Sequence, residues 1–168
     1  MTDGDQVAEI IANWKRERPE LDASPIGVFG RIARINIQLD SYLAKFLGEH
    51  GLTLGLFDVM ATLRRRGAPY RSKPSTLAAT SLLTSGGMTG RLDHLEQLGL
   101  VRRINDNEDR RVIFAELTAK GLSLIDNLIE EHLLREADLL RGLTPEQRAH
   151  LGELLRIVDL TIAEEGKS

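Results

Sequence analysis

The side chains of this sequence best suited to bind another molecule are the cations of residues 101–121. Two stretches rich in β-forming residues, 101–104 and 111–117, flank a polar turn of Asn and Asp residues, and this pattern predicts a β-hairpin. Arg110 and Arg111 follow that turn. Because cations on a hairpin can contact phosphates or enter a minor groove, we expect this hairpin to bind nucleic acid.

Charge is distributed unevenly along the chain. The net charge is −3, yet residues 64–111 carry ten Lys or Arg against five Asp or Glu, while the rest of the chain carries twelve against twenty. A local excess of five positive charges can neutralise phosphates and release their counterions, and the acidic remainder limits non-specific binding. Charge alone also fits an ordinary solvated surface, but its coincidence with the hairpin favours duplex DNA as the partner.

Apolar residues recur at helical spacing along most of the chain. Together with capping residues and terminal glycines, they predict helices at 5–18, 25–48, 53–67, 74–83 and 85–99, one of more than twenty residues after Thr118, and a last helix after Thr144. Three helices followed by a hairpin are typical of a winged helix-turn-helix, whose last helix enters the major groove. The expected fold is therefore mainly α with a small β-hairpin wing.

The predicted helices also suggest a division into domains. We expect an extra N-terminal helix and linker at 1–24, a DNA-binding domain at 53–118, and a helical dimerisation domain formed by 25–52 with 119–168. The long helices of the last domain carry more apolar surface than the winged unit can cover. We therefore expect a homodimer with an interface above about 2,000 Å², which would present two recognition helices about one helical turn apart on DNA.

Composition argues against several other classes of function. The 168 residues contain no Cys and four scattered His, so no disulfide, metal or cofactor is expected. No apolar run approaches the roughly 18 residues of a membrane span, and charges occupy the N-terminus where a signal peptide is apolar. These features predict a cytoplasmic protein without a membrane partner. Adjacent carboxylates point apart on helices and no Ser has a His–Asp partner, so an enzyme is not expected.

The helix before the hairpin separates into two arcs at about 100° per residue. Arg91 lies within the buried arc, which is formed by Met88, Leu92, Leu95 and Leu98. The opposite arc faces the groove, with Ser85 at the cap near phosphate. With the cations of the neighbouring segments, the predicted DNA-binding residues are Arg71, Lys73, Ser85, Gly86, Thr89, His94, Arg110 and Arg111.

An arginine that points inward needs an anion, and Arg91 can be satisfied by a structural salt bridge or by an anionic ligand. Asp58 and Arg65 lie opposite the apolar arc of their helix, which is typical of solvated surface unless the N-terminal helix covers them. Trp14 lies on the apolar arc of that N-terminal helix, where it is either a core anchor or a ligand contact. A Trp ring beside an arginine suits a flat anionic heterocycle.

From Pro25 to Glu165 the chain resembles the MarR family of bacterial transcriptional regulators. The resemblance is carried by the wing residues and by the helix before them, namely Asp109-Arg110-Arg111, Leu117-Thr118-Ala119-Lys120-Gly121, and Ser85 with Leu92, Leu95, Glu96 and Gly99-Leu100-Val101. It implies that Arg110 reaches DNA, that the helix from Ser85 reads the major groove, and that the terminal helices form the dimer.

A narrower resemblance is to the urate-responsive, PecS-type subgroup, which also has an N-terminal helix bearing a Trp. It is carried by Phe57-Asp58-Val59, Ala61-Thr62-Leu63-Arg64-Arg65, Pro69-Tyr70-Arg71 and Ser85-Gly86-Gly87-Met88-Thr89 with Arg91. The resemblance implies a ligand set of Trp14, Asp58 and Arg91, with Arg65 as a matching cation and Arg103 as a relay at the wing base.

The expected function is a dimeric repressor that binds a pseudo-palindromic operator and releases it when a small aromatic anion, urate, binds. Two alternatives stay open at this point. One is a regulator of the same fold that responds to another phenolic or lipophilic effector, and the other is a winged-helix module that binds protein.

Arg110→Ala should weaken DNA binding at every sequence and lower the salt dependence by about one phosphate per subunit, because Arg110 is expected to contact the backbone. Thr89→Ala should instead relax the base preference, because Thr89 faces the groove. Operator and random-DNA titrations across a salt series measure both effects. Wild-type binding by Arg110→Ala throughout the series would show that the wing assignment is wrong.

Overall fold

The computed structural model describes residues 4–82, 87–106, 109 and 111–166. Within these residues the chain forms seven helices and three short strands, in the order α1 (Gln6–Glu17), α2 (Ile26–Gly48), α3 (Leu54–Arg65), β1 (Arg71–Ser72), α4 (Pro74–Thr80), α5 (Met88–Gln97), β2 (Val101–Asn105), β3 (Ile113–Leu117), α6 (Ala119–Leu139) and α7 (Pro145–Glu165). The predicted fold, mainly helical with a small β wing, is confirmed. None of the described helices is long and apolar enough to cross a membrane.

Side-chain caps fix the starts of four helices. The Asp5 carboxylate accepts hydrogen bonds from the first turn of α1, and Thr53 and Thr118 cap α3 and α6. At α7, Thr144 Oγ1 accepts from the Gln147 amide at 3.3 Å while Gln147 Oε1 accepts from the Thr144 amide at 2.9 Å, which forms a capping box. The cap residues therefore set these helix starts from local sequence.

Four helix boundaries differ from the predictions by two residues or more, including the end of α5 at Gln97 rather than 99. Helix α3 ends at Arg65 rather than 67, and α4 ends at Thr80 rather than 83 because Ser81 is extended, with ψ 145°. Helix α5 begins at Met88 rather than 85, because Gly87 adopts a left-handed conformation with φ 77° that a right-handed helix does not accommodate. Residues 83–86, which include the predicted DNA-binding residues Ser85 and Gly86, lie outside the described residues.

The strands form an antiparallel sheet in the order β1-β3-β2. In the wing hairpin Val101 pairs with Leu117 and Asn105 with Ile113. Strand β3 begins at Ile113 rather than 111, because the Val112 amide donates to the Asp109 carbonyl at 2.8 Å and stays in the turn. The sequence pattern also missed β1, whose two residues are too few to show an alternation.

The core surrounds α3. Val59, Met60 and Leu63 are fully buried, and they pack in one cluster with the buried residues of α2, α4, α5, the sheet and α6. Helix α6 closes this core through Ile125 and Leu128. Helices α3, α4 and α5 and the wing therefore share one hydrophobic core with the first half of α6.

The long helices are largely uncovered in the single chain. Helix α2 buries only Leu43, Phe46 and Leu47, in agreement with the expectation that the winged unit cannot cover its apolar surface. All of α7 is described, and it buries none of its residues. Between α2 and α6 an apolar groove of about 630 Å³ is lined by Ile35, Gln38, Leu39, Tyr42, Glu136, Leu139 and Leu140.

Gly121→Ala should destabilise the protein by about 3 kcal/mol, because a methyl group at Gly121 would lie 2.0 Å from the Leu100 carbonyl oxygen, where α6 crosses the start of β2. Urea unfolding at fixed protein concentration measures the change. Gly90→Ala is the matched control: no heavy atom lies within 4 Å of its added methyl group, and it should stabilise α5 by about 0.5–1 kcal/mol. Equal effects of the two substitutions would contradict the close approach.

Candidate nucleic-acid interface and effector site

Helix α5 has the two faces that its sequence predicts. Met88, Leu92 and Leu95 are buried in the core, whereas the predicted DNA-binding residues Thr89 and His94 are exposed on the opposite face. The exposed face also contains Gly90, where an added Cβ atom would meet no heavy atom within 4 Å. A large ligand can therefore approach the backbone there. The helix can therefore present short polar side chains to a groove.

Arg103, in β2, holds α5 against the base of the wing. Its guanidinium contacts the Asp93 carboxylate at 2.5 Å and also pairs with Glu96, while its backbone amide donates to Glu96 at 3.2 Å. The hydrogen bond to Asp93, with both carboxylate charges, raises the pKa of Arg103. Arg103 thus neutralises two acidic groups beside the outward face of α5, which lowers the repulsion of an approaching phosphate.

Asp109 organises the wing tip. Its amide donates to the Asp106 carboxylate at 3.1 Å, and its own carboxylate accepts from the Arg111 amide at 3.0 Å. The Arg111 side chain is 95% exposed, and its Nε lies 3.5 Å from the same Asp109 carboxylate. The predicted contact Arg110 lies outside the described residues. The aspartate of the wing signature therefore has a structural role, and Arg111 extends into solvent where it can meet phosphate.

Two further predicted DNA contacts lie where β1 leads into α4. Arg71 and Lys73 are exposed, and both cations lie over the Phe114 ring, at 5.0 Å and 6.0 Å from its centroid. The ring restrains these long side chains without neutralising their charge. Arg71 and Lys73 therefore place positive charge between β1 and the start of α4, and Arg111 places it in the wing turn.

Arg91 is half-buried on α5, as its place in the buried arc predicts, and it extends towards the first turn of α3. A Cβ atom added at Gly55 would lie 2.9 Å from Arg91 Nε, so the guanidinium occupies the space that a side chain at this position would fill. Gly55 is therefore a position that the sequence analysis missed. The signal for it, a glycine in the first turn of a helix, is weak without the fold.

Asp58 is only 6% exposed, so the prediction of a solvated surface position from the residues alone is wrong. The chain just after α4 contacts it, because Asp58 Oδ1 accepts from the Leu82 amide at 3.3 Å. Arg65, on the same side of α3, donates to the Thr80 carbonyl. The polar face of α3 thus holds the chain where α4 ends, just before the helix-turn-helix turn.

Trp14 is 45% exposed, so its interpretation as a core anchor is wrong for the single chain. Helix α1 is instead anchored by the buried residue Val7, which packs on Gly30 of α2. Trp14 instead lines a shallow pocket of about 280 Å³ with Ile10, Asn13 and Glu17, all of them on α1. The structure therefore brings Arg91, Asp58 and Arg65 together around α3 but places Trp14 elsewhere.

Helix α6 contacts α3 through two polar residues that the sequence analysis did not single out. Arg64 and Asp126 form an ion pair at 2.5 Å, and the buried His132 ring lies 4.7 Å from the Phe57 ring. His132 Nε2 also approaches Glu136 at 3.2 Å. The winged unit is therefore tied by specific contacts to the helix that leads away from it.

Comparisons with known proteins agree with this geometry. The MarR family pattern matches residues 52–113. The regulator PecS of Dickeya dadantii (strain 3937) is 39% identical over 92% of this chain and 93% of its own. The structure of Sco3205, a MarR family regulator from Streptomyces coelicolor in complex with DNA, superposes with a TM-score of 0.72 at 28% identity, covering 83% of this chain and 88% of that one.

A mutant of MarR from E. coli complexed with operator DNA is also similar, with a TM-score of 0.64 and 26% identity over 86% of this chain and 96% of that one. The similarity to PecS spans nearly all of both chains, and it includes the winged unit and the helices on either side. The chain therefore belongs to the MarR family of transcriptional regulators.

Proposed function

We propose that this chain is a dimeric repressor that binds a pseudo-palindromic operator and releases it when a small aromatic anion, urate, binds. One observation carries this proposal: Arg91 belongs to the helix whose other face is exposed for DNA, yet its guanidinium lies against α3. A single rigid helix then joins an anion-binding cation to a DNA-reading face. Urate comes from the resemblance to the PecS-type subgroup, and other aromatic anions are its competitors.

The described surface supports DNA as the other ligand. Thr89 and His94 face outwards on α5, and Arg71, Lys73 and Arg111 are exposed cations of the same winged unit. Cations of this kind release counterions when they neutralise phosphates, while the side chains on α5 reach base edges. Base edges then supply the sequence preference and the cations supply affinity.

Effector and operator would oppose one another through α3. A bound anion would draw Arg91 away from its place beside Gly55, and it would repel the carboxylate of Asp58, which holds the end of α4. Helices α4 and α5 form the helix-turn-helix pair, so both would shift relative to the wing. Arg103 would carry the movement into β2. Coupling of this kind is typically about 1–3 kcal/mol, or roughly 5- to 150-fold in operator affinity.

A second copy of the chain supplies the surface that the long helices lack. Exposed apolar residues run along α2, α6 and α7, among them Phe29, Ile37, Leu134, Leu155 and Ile162. Monomeric proteins rarely expose apolar surface of this extent. In this proposal residues 25–52 and 119–168 form the dimerisation domain, and residues 53–118 form the DNA-binding domain.

Sedimentation velocity should give a single dimeric species down to micromolar concentration, because each protomer leaves most of α2 and all of α7 uncovered. An interface above about 2,000 Å² is typical of such obligate dimers. Unfolding should also depend on protein concentration, as expected when folding and association are linked. A folded monomer that persists at micromolar concentration would contradict the dimer.

Arg91→Ala and Trp14→Ala dimers should bind the operator within about tenfold of wild type but should no longer release it when urate is added, a loss of the roughly 5- to 150-fold coupling. Each variant is titrated against operator DNA with and without urate, and salicylate serves as the competing effector. A full urate response in Arg91→Ala would remove Arg91 from the site. Loss of all operator binding by a folded Arg91→Ala protein would instead assign it to DNA.

Gly55→Ala offers a second route to the same residue, because its methyl group would displace the Arg91 guanidinium without removing the charge. It should weaken the urate response in the same titrations. Gly48→Ala is the matched control, since its added methyl group meets no heavy atom within 4 Å. A Gly55→Ala protein that responds to urate as fully as Gly48→Ala would show that the position of Arg91 beside α3 does not matter for the effector.

A further inference from the structure

Helix α1 packs antiparallel on the N-terminal half of α2. Residues that come later in α1 meet residues that come earlier in α2, as shown by the contacts of Asp5 with Arg31, Gln6 with Arg34, Val7 with Gly30 and Ile11 with Gly27. Gly27 and Gly30 allow this close packing, since a Cβ at Gly30 would lie 3.3 Å from Val7. Continued by one turn, this register carries Trp14 beyond the first residue of α2.

The rest of the predicted ligand set lies at the opposite end of α2. Arg135 of α6 lies 4.5 Å over the Phe46 ring, and one turn earlier His132 contacts Phe57, the neighbour of Asp58. Gly55, against which Arg91 lies, is in the first turn of α3, a few residues after α2 ends. At 1.5 Å per residue, Trp14 and Phe46 are separated by roughly 30 Å along α2.

A purine-sized ligand does not span this separation, so one chain does not bring Trp14 to Asp58 and Arg91. We propose that the effector site is composite, with Trp14 from one protomer and Asp58 and Arg91 from its partner. This inference rests on the proposed function, which places these three residues around one ligand. By two-fold symmetry a dimer then has two equivalent sites, each incomplete in a single chain.

The surface around Trp14 supports a second copy as the missing partner. Val28, Phe29 and Ile32 are exposed on the half of α2 that carries α1, and Ile10 is exposed beside Trp14. These residues belong to the exposed apolar face of α2, which the proposed dimer buries. An interface that crosses the N-terminal half of α2 therefore also crosses the pocket of Trp14, and a partner's polar groups can close that pocket over a ligand.

Mixed dimers separate a composite site from one within a chain. Trp14 is the only tryptophan of the chain, so its fluorescence reports ligand binding directly. Two forms of the chain with different affinity tags are co-expressed, and the mixed dimer is isolated by sequential capture. The first mixed dimer pairs Trp14→Ala with Arg91→Ala. The second, its matched control, pairs wild type with the Trp14→Ala, Arg91→Ala double variant.

Each mixed dimer contains one tryptophan and one Arg91, and only their arrangement differs. If the site is composite, the tryptophan of the first dimer faces an intact arginine of its partner, and urate quenches it with wild-type affinity. The tryptophan of the second dimer then faces a partner that has lost this arginine. In this second dimer, half-maximal quenching should require at least roughly tenfold more urate than in wild type, because a charge-assisted hydrogen bond is lost. Free tryptophan corrects for absorption by urate.

The opposite result overturns the composite site while leaving the proposed function intact. Wild-type quenching in the second dimer, with weakened quenching in the first dimer, would show that Trp14 and Arg91 of the same chain bind one ligand. Equal, weakened quenching in both mixed dimers also overturns it. If the Arg91→Ala homodimer is quenched as wild type is, Arg91 does not bind the effector, and the proposed ligand set fails together with the composite site.

Discussion

Helix α3 is enclosed by other elements, and the rest of the winged unit is positioned by this enclosure. Its apolar residues Val59, Met60 and Leu63 are fully buried among α2, α4, α5, α6 and β3. Each such side chain contributes about 1.5–3 kcal/mol when removed from water. Because a close-packed core does not deform gradually, a displacement on one side of α3 requires its neighbours to move with it.

The polar residues of α3 connect that core to function. Asp58 and Arg65 hold the chain after α4, Gly55 leaves room for Arg91 of α5, and Arg64 pairs with Asp126 of α6. One helix therefore contacts both helices of the helix-turn-helix and the helix that leads to the proposed dimerisation surface. A small ligand that acts on any of these contacts competes with the arrangement that reads DNA, and no long-range pathway is needed.

In the proposed assembly, the single chain forms the core of the winged unit but not a complete effector site. Its winged unit buries a continuous core, whereas α2 and α7 present apolar faces without an intramolecular partner among the described residues. The N-terminal half of α2 packs against α1, the helix that contains Trp14. In the proposed assembly, burial of these faces and completion of the effector site are one event, which links ligand binding to the presence of the partner.

Local chemistry determined what the sequence alone could predict. Caps at Thr53, Thr118 and Thr144, helical apolar spacing and the wing turn depend on nearby residues, and the motifs sufficed to indicate the family. Tertiary structure decided what depends on packing between distant segments. Asp58 lies on a polar face but is buried, and its carboxylate accepts a hydrogen bond from the chain after α4. Trp14 lies on an apolar face but is exposed, whereas Val7 of the same helix is buried. Periodicity identifies the face of a helix, whereas only the fold determines what covers that face.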